Sequence, residues 1–292
     1  AQQAAPAPAP AGPPAPPMRI DVERLGPRLL VFSGYTNGNV LAIASDTGTL
    51  LVDAQSPRRE RELDSALVAE RFPRVTSVIL THYHEDHLGG NARYRAGGAQ
   101  LVAHERMAVQ AAKDTVIAER TWTRKAAAPE MLPTRTFRDS LVMRLGDEEV
   151  RVWHAPNAHT EGDAVIRLMK ADVVHLGDIL ELQAPPFIDW WAGGTVDGMI
   201  AALDHVLAIT GPGTRFVPGH GPVTDRAGVI AYRAMLDTLR TRMRALAARK
   251  ATAEDAVREN PVAEYAPRLG GERRARQLLD QLVYGYLVRG VR

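Results

Sequence analysis

The stretch THYHEDHLGGN (81–91) sets His82, His84, Asp86 and His87 within six positions. The 292-residue chain holds nine histidines, so a third of them stand in this one loop. The residues ahead of it, VTSVILTH (75–82), read as a strand of the buried type. Behind it, Gly89 and Gly90 let the backbone turn tightly. Where a chain leaves a sheet, residues two apart such as His82 and His84 can turn their imidazoles toward one point, while the adjacent Asp86 and His87 project toward a second. Imidazole nitrogen and carboxylate oxygen are donors that zinc accepts in four- or five-coordinate shells. Two half-sites require more donors than one loop supplies. The candidates are His159 in NAHTEGDA, Asp178 in HLGDIL and His220 in VPGHGP, each in a turn-like context just after a strand candidate.

Upstream of the cluster, RLLVFSG (28–34), NVLAIAS (39–45) and TLLVDA (49–54) are short apolar runs separated by Gly and Asn turns, a meander of strands. The segment 57–72 places Leu63, Leu67 and Phe72 at helical spacing after Pro57, and 99–114 repeats strand then helix. Downstream, SLVMRLG, EEVRVWHAP, DAVIRLMK and ADVVHLGD are four strand candidates, 195–210 has the apolar period of a helix, and RFVPGH (215–220) is a short strand running into a turn. Two mixed halves without a sequence repeat, each with metal-type residues at strand ends, predict an α+β fold: a four-layer αββα sandwich of two mixed β-sheets flanked by helices. The arginine-rich helical segments from 228 to about 250 and from 272 to 288 read as solvated helix faces.

The order HxHxDH, then His159, Asp178 and a Gly-His-Gly turn at His220, resembles the metallo-β-lactamase fold superfamily. Asp53 in TLLVDA is similar to that family's early strand-end aspartate. The resemblance implies a first zinc on His82, His84 and His159, a second on Asp86, His87 and His220, and Asp178 bridging the two. Asp53 would hold the metal-binding loop from behind. Two Zn(2+) ions would lower the pKa of a shared water toward about 7, and the resulting hydroxide would attack a carbonyl or phosphoryl centre. Asp86 would orient it and pass on its proton. The implied class is hydrolysis.

Within that family, nucleases carry a large insertion between the bridging aspartate and the last histidine; Asp178 and His220 are 42 positions apart (220 minus 178), which leaves no room for one. Flavin-linked relatives and large alkyl sulfatases need domains that this length does not provide. Small-substrate hydrolases remain, with β-lactam opening as the leading expectation and lactone or thioester hydrolysis as the alternative. Aspartate at the bridging position departs from the cysteine or serine of the β-lactam-hydrolysing branches. A metal-binding accessory protein without turnover is the reading from another class. Phe187, Trp190 and Trp191, on a Pro- and Gly-rich loop, are the candidate substrate wall; the tryptophans fit equally as cover for a core edge. His104, His154, His175, His205 and the loop residue Glu85 read as ordinary core or surface positions.

Composition bounds the rest. With 45% hydrophobic and 24% charged residues the chain is of ordinary globular type, and 36 basic against 34 acidic residues leave a net charge of +2, no attractor for nucleic acid. No apolar run reaches the roughly 18 residues of a membrane span. The absence of cysteine removes thiolate ligands. Residues 1–17, almost pure Ala, Pro, Gln and Gly, read as a disordered tether ahead of one domain from 18 to 292. A first residue of Ala instead of Met fits a product cut after a signal peptide, so a periplasmic or secreted location is expected, with a cytoplasmic one left open. The partner expected is a small-molecule substrate; oligomeric state is not legible.

Overall fold

The computed structural model describes residues 20–34, 37–57, 59–117, 122–182 and 184–290. The expected tether, 1–17, lies outside them. The chain opens with a meander, β1 (Asp21–Gly26), β2 (Leu29–Gly34), β3 (Asn37–Ser45) and β4 (Gly48–Val52). Helix α1 (Glu60–Ala69) leads to β5 (Val75–Ile79), and two short helices follow, α2 (Glu85–Leu88) and α3 (Asn91–Ala96). Next come β6 (Gln100–His104), α4 (Glu105–Ala111), a pair β7 (Thr115–Ile117) and β8 (Trp122–Arg124), and β9 (Arg135–Phe137). The second half holds β10 (Ser140–Leu145), β11 (Glu148–Ala155), β12 (Asp163–Leu168), β13 (Val173–His175), α5 (Val196–Ile209) and β14 (Arg215–Val217). Helices α6 (Arg226–Ala248), α7 (Ala253–Glu259) and α8 (Glu272–Val283) complete it, α8 passing into a π-helical turn, Tyr284–Val288.

Seven strands form one sheet in the order β1-β2-β3-β4-β5-β6-β9, antiparallel through β4 and parallel from there on. Five form the other, β10-β11-β12-β13-β14, with only the last pair parallel. Side-chain alternation sorts each strand between two layers. In β2, Leu29 and Val31 enter the core between the sheets, while Leu30 and Phe32 enter the outer core under α1 and α3. In β12 and β13, Ile166 and Val173 face the first sheet and Val165 and Val174 face α5 and α6. Three apolar layers separate four structural ones, the expected αββα sandwich. These central strands are apolar on both faces because both faces are covered.

The arginine-rich helices are amphipathic. In α6, Tyr232, Leu236, Leu239 and Met243 are buried in the outer core while Arg233 reaches the exposed Asp204 and Arg244 the half-buried Asp197. No helix among the described residues is long and apolar enough to cross a membrane.

Candidate metal centre

Each of the seven donors proposed from the sequence follows the end of a strand, His82 to His87 after β5, His159 after β11, Asp178 after β13 and His220 after β14, as does the supporting Asp53 after β4. The structure brings them together. His84 Nδ1 stands 3.1 Å from His82 Nε2 and 3.0 Å from His159 Nε2. Asp178 Oδ2 lies 3.6 Å from His82 Nε2 and 3.8 Å from His159 Nε2. In the second set, Asp178 Oδ1 is 3.2 Å from His87 Nε2 and 3.5 Å from His220 Nε2. Asp86 Oδ2 is 3.2 Å from His220 Nε2 and 3.7 Å from His87 Nε2. Asp178 therefore gives one oxygen to each set. A tetrahedral ion with bonds of about 2.0 to 2.1 Å spaces its ligands by about 3.3 Å, the scale of these separations.

Hydrogen bonds behind the imidazoles settle which nitrogen faces inward. Asp53 accepts from Thr81 N and Thr81 Oγ1 and from His87 Nδ1, each at 2.8 Å. Because Thr81 Oγ1 spends its proton on Asp53, it accepts from His82 Nδ1 at 3.0 Å. His159 Nδ1 donates to the Phe187 carbonyl at 2.8 Å and His84 Nε2 to Asp189 at 3.0 Å. Each rear N–H is thus used, and the nitrogens of His82, His84 and His159 that face one another are lone pairs at about hydrogen-bond distance with no proton between them. Asp178 Oδ1 is likewise buried without a hydrogen-bond partner. A cation reconciles this arrangement, and the donor set fits one.

The two sets differ in their charge state. Burial holds His82 well below the usual imidazole range and brings His159 down to about 4, so both are neutral donors. Burial also disfavours the cationic form of His87 and His220, but the carboxylates of Asp178 and Asp86 outweigh it, raising His87 and lifting His220 to about 10. The reciprocal effect overcomes the burial of the carboxylates, depressing Asp178 and lowering Asp86 to about 2.

Close backbone approach is part of the design. A Cβ at Gly38 would stand 2.4 Å from the His87 ring and one at Gly219 1.9 Å from Asp178 Oδ1. Asn39 holds the His220 turn by donating from Nδ2 to the carbonyls of Pro218 and Gly221, at 2.9 and 2.8 Å.

The centre opens into a groove of about 600 Å³. Phe187 and Trp191 line it, with the Phe187 ring 5.6 Å from His84. Trp190 does not, a correction to its expected place in the substrate wall. It is 2% exposed, packs edge-on against Tyr286 and sits against Gly285, inside the core under the second sheet. The 3-10 turn Trp190–Ala192 sends these neighbours in different directions, and Trp191 instead stacks on Tyr284 with ring centres 4.8 Å apart.

Four residues at the centre carried no signal in the sequence reading. Asp189 accepts from Tyr83 Oη, from His84 and from the Trp191 and Ala192 amides, so it ties a candidate ligand to the groove wall. Glu181 is buried beside Asp178 and His220 and accepts from Phe187 N at 3.0 Å. Arg124 and Tyr83 stack beside His84. The segment 122–131 is tied down at both ends: β8 pairs with β7, and Asn91 donates to the Met131 carbonyl at 2.9 Å.

Residues 33–242 match the family profile described as the metallo-beta-lactamase superfamily. The chain belongs to this superfamily. Among relatives, metallo-beta-lactamase type 2 of Bacillus cereus is 24% identical over 216 residues, covering 71% of this chain and 78% of the relative. The alpha subunit of 2,4-dinitroanisole O-demethylase from a Nocardioides strain is 39% identical over 190 residues, 62% of this chain and 51% of the relative. A metallo-beta-lactamase from Pontibacter korlensis superposes with a TM-score of 0.61 at 20% identity, over 75% of this chain and 99% of that one. Membership in this hydrolytic superfamily and the His/Asp metal-type cluster make the chain a metallo-beta-lactamase superfamily hydrolase.

Proposed function

We propose that this member is a dinuclear zinc hydrolase acting on small carbonyl substrates, with β-lactam opening as its leading activity. One observation carries the reading: the two oxygens of Asp178 enter two separate donor sets, 3.2 to 3.8 Å from their histidine nitrogens. His82, His84, His159 and Asp178 Oδ2 would hold one ion; Asp86, His87, His220 and Asp178 Oδ1 would hold the other. When bound, the pair supplies a water acidic near neutral pH and polarises the substrate carbonyl. Asp86, whose side chain is 31% exposed at the groove, would orient the attacking water and take its proton. Asp53 and Asp189 hold His87 and His84 from behind and so fix the geometry before substrate arrives. Phe187 and Trp191 would receive an apolar part of the substrate.

A second reading, ester, lactone or thioester hydrolysis, is favoured by aspartate at position 178. The name of the Nocardioides relative adds aryl methyl ethers to the panel. The test is turnover of a chromogenic cephalosporin, a γ-lactone, an aryl thioester and 2,4-dinitroanisole by zinc-loaded protein. The expected result is hydrolysis that a chelator abolishes and zinc restores, fastest on the cephalosporin. Bound zinc with no turnover across the panel would replace the enzyme reading by that of a metal-binding accessory protein. An exported location is part of the same proposal and rests on the Ala/Pro-rich composition of 1–17; fractionation that finds the chain in the cytoplasm overturns it.

A further inference from the structure

Arg124, on β8, lines the metal groove and is the only Arg or Lys among the described residues that do. Its Nη2 is fixed by the Gln110 carbonyl at 2.7 Å, Thr115 Oγ1 at 3.0 Å and the Lys113 carbonyl at 3.3 Å. The guanidinium carbon lies 4.4 Å from the centre of the Tyr83 ring, and that ring lies 4.5 Å, centre to centre, from His84. A cation is therefore held one aromatic ring away from the candidate zinc ligands.

Among the described residues no carboxylate forms an ion pair with it. Cations on nearby segments are paired: Lys125 with Asp114, Arg106 with Glu161 and Arg138 with Glu105. Of the five carboxylates that line the groove, Glu85 is exposed and ion-pairs with no residue among those described, Arg124 included, while the other four are committed. Asp86 and Asp178 belong to the donor sets, and Asp189 is saturated by four donors. Glu181 is buried and accepts from the Phe187 amide at 3.0 Å. Bracing the β7–β8 pair accounts for the contacts of Nη2, but neutral donors suffice for that. A fixed charge that faces the groove with no ion-paired carboxylate among the described residues is suited to a counter-ion that arrives with the ligand.

We propose that Arg124 receives a carboxylate on the substrate, so that the groove selects small anionic carbonyl compounds over neutral ones. This deepens the hydrolase reading and rests on it for the reaction, though not for the binding. The guanidinium is held in place before binding and stacked on Tyr83, so little side-chain freedom is lost when the charge-assisted bond forms.

The test uses the zinc-loaded full chain and reads binding without turnover. Phenylacetate and phenylacetamide are titrated into wild type, Arg124→Gln and Arg124→Lys, with tryptophan fluorescence as the readout and equal zinc content checked in each. The expected result is that the acid-over-amide preference falls about tenfold in Arg124→Gln, the scale of one charge-assisted bond, and falls less than about threefold in Arg124→Lys. An undiminished preference in Arg124→Gln overturns the proposal. So does an equal loss in both variants, which would mark Arg124 as a brace. Should the glutamine variant not fold, a crystal structure of wild type with phenylacetate decides: its carboxylate on Arg124 supports the proposal and a carboxylate elsewhere overturns it. Failure of the hydrolase reading appears separately, as absent turnover with this preference intact.

Discussion

Asp178 is shaped by a residue with no side chain: a Cβ at Gly219 would lie 1.9 Å from its Oδ1. Gly219→Ala is therefore predicted to displace Asp178 and reduce bound zinc to one ion or fewer per chain, with the far-ultraviolet circular dichroism little changed. Two ions retained would contradict this. Asp86→Asn is predicted to keep the fold and lower turnover by about 10² to 10⁴, the usual span for general acid–base catalysis; an unchanged rate denies Asp86 its role. The two sets should also part company in acid. His220, near 10, must lose a proton to bind an ion, whereas His159, near 4, is already neutral. Protons compete with metal only below a ligand's own pKa. Zinc content followed from pH 8 to about pH 5 should therefore fall first toward one ion, retained on His82, His84 and His159, and simultaneous loss of both would contradict the asymmetry. The seven candidate donors were legible from the HxHxDH spacing and the order of His159, Asp178 and His220 after it, not from strand ends alone, since His104 and His175 also end strands and join neither donor set. Asp189 was not, since its partner His84 is 105 positions away and nothing local marks it.

Among the elements, the central strands could be read because their apolar runs are buried on both faces. β1 could not: in DVERLG only the last two positions are even partly buried. β7 and β9 are three residues each, too short to show a period. The arginine-rich helices were read as solvated faces, which is half of their structure; the other half is the core under the second sheet. Their C-terminal π-helical turn braces the groove loop, with Arg289 donating to the Trp190 carbonyl and Tyr284 stacked on Trp191. A Cβ on Gly285 would meet the Trp190 ring at 2.3 Å. Gly285→Ala is predicted to cost about 1 to 3 kcal/mol by overpacking, read as a lower urea midpoint. An unchanged midpoint would mean that Trp190 is not clamped there.

At the scale of the molecule, the first sheet supplies Asp53 and the loop from His82 to His87, and the second supplies His159, Asp178 and His220. Ions held between them would bind the folded chain alone, so zinc should stabilise the sandwich by RT ln(1 + [Zn]/Kd), about 4 kcal/mol at a thousandfold excess over Kd. Chelation is predicted to lower the calorimetric Tm by several degrees, and an unaltered Tm would deny the clamp. The sandwich was legible from the alternation of strand and helix, whereas the groove was legible only in Phe187 and Trp191; Arg124, Glu181 and Asp189 enter it through packing that distant partners decide. Anomalous scattering across the zinc edge, from crystals of zinc-loaded protein, reads out whether Asp178 joins two ion sites. Two peaks are predicted, one beside each Asp178 oxygen; a single peak, or any peak away from this carboxylate, would contradict the account.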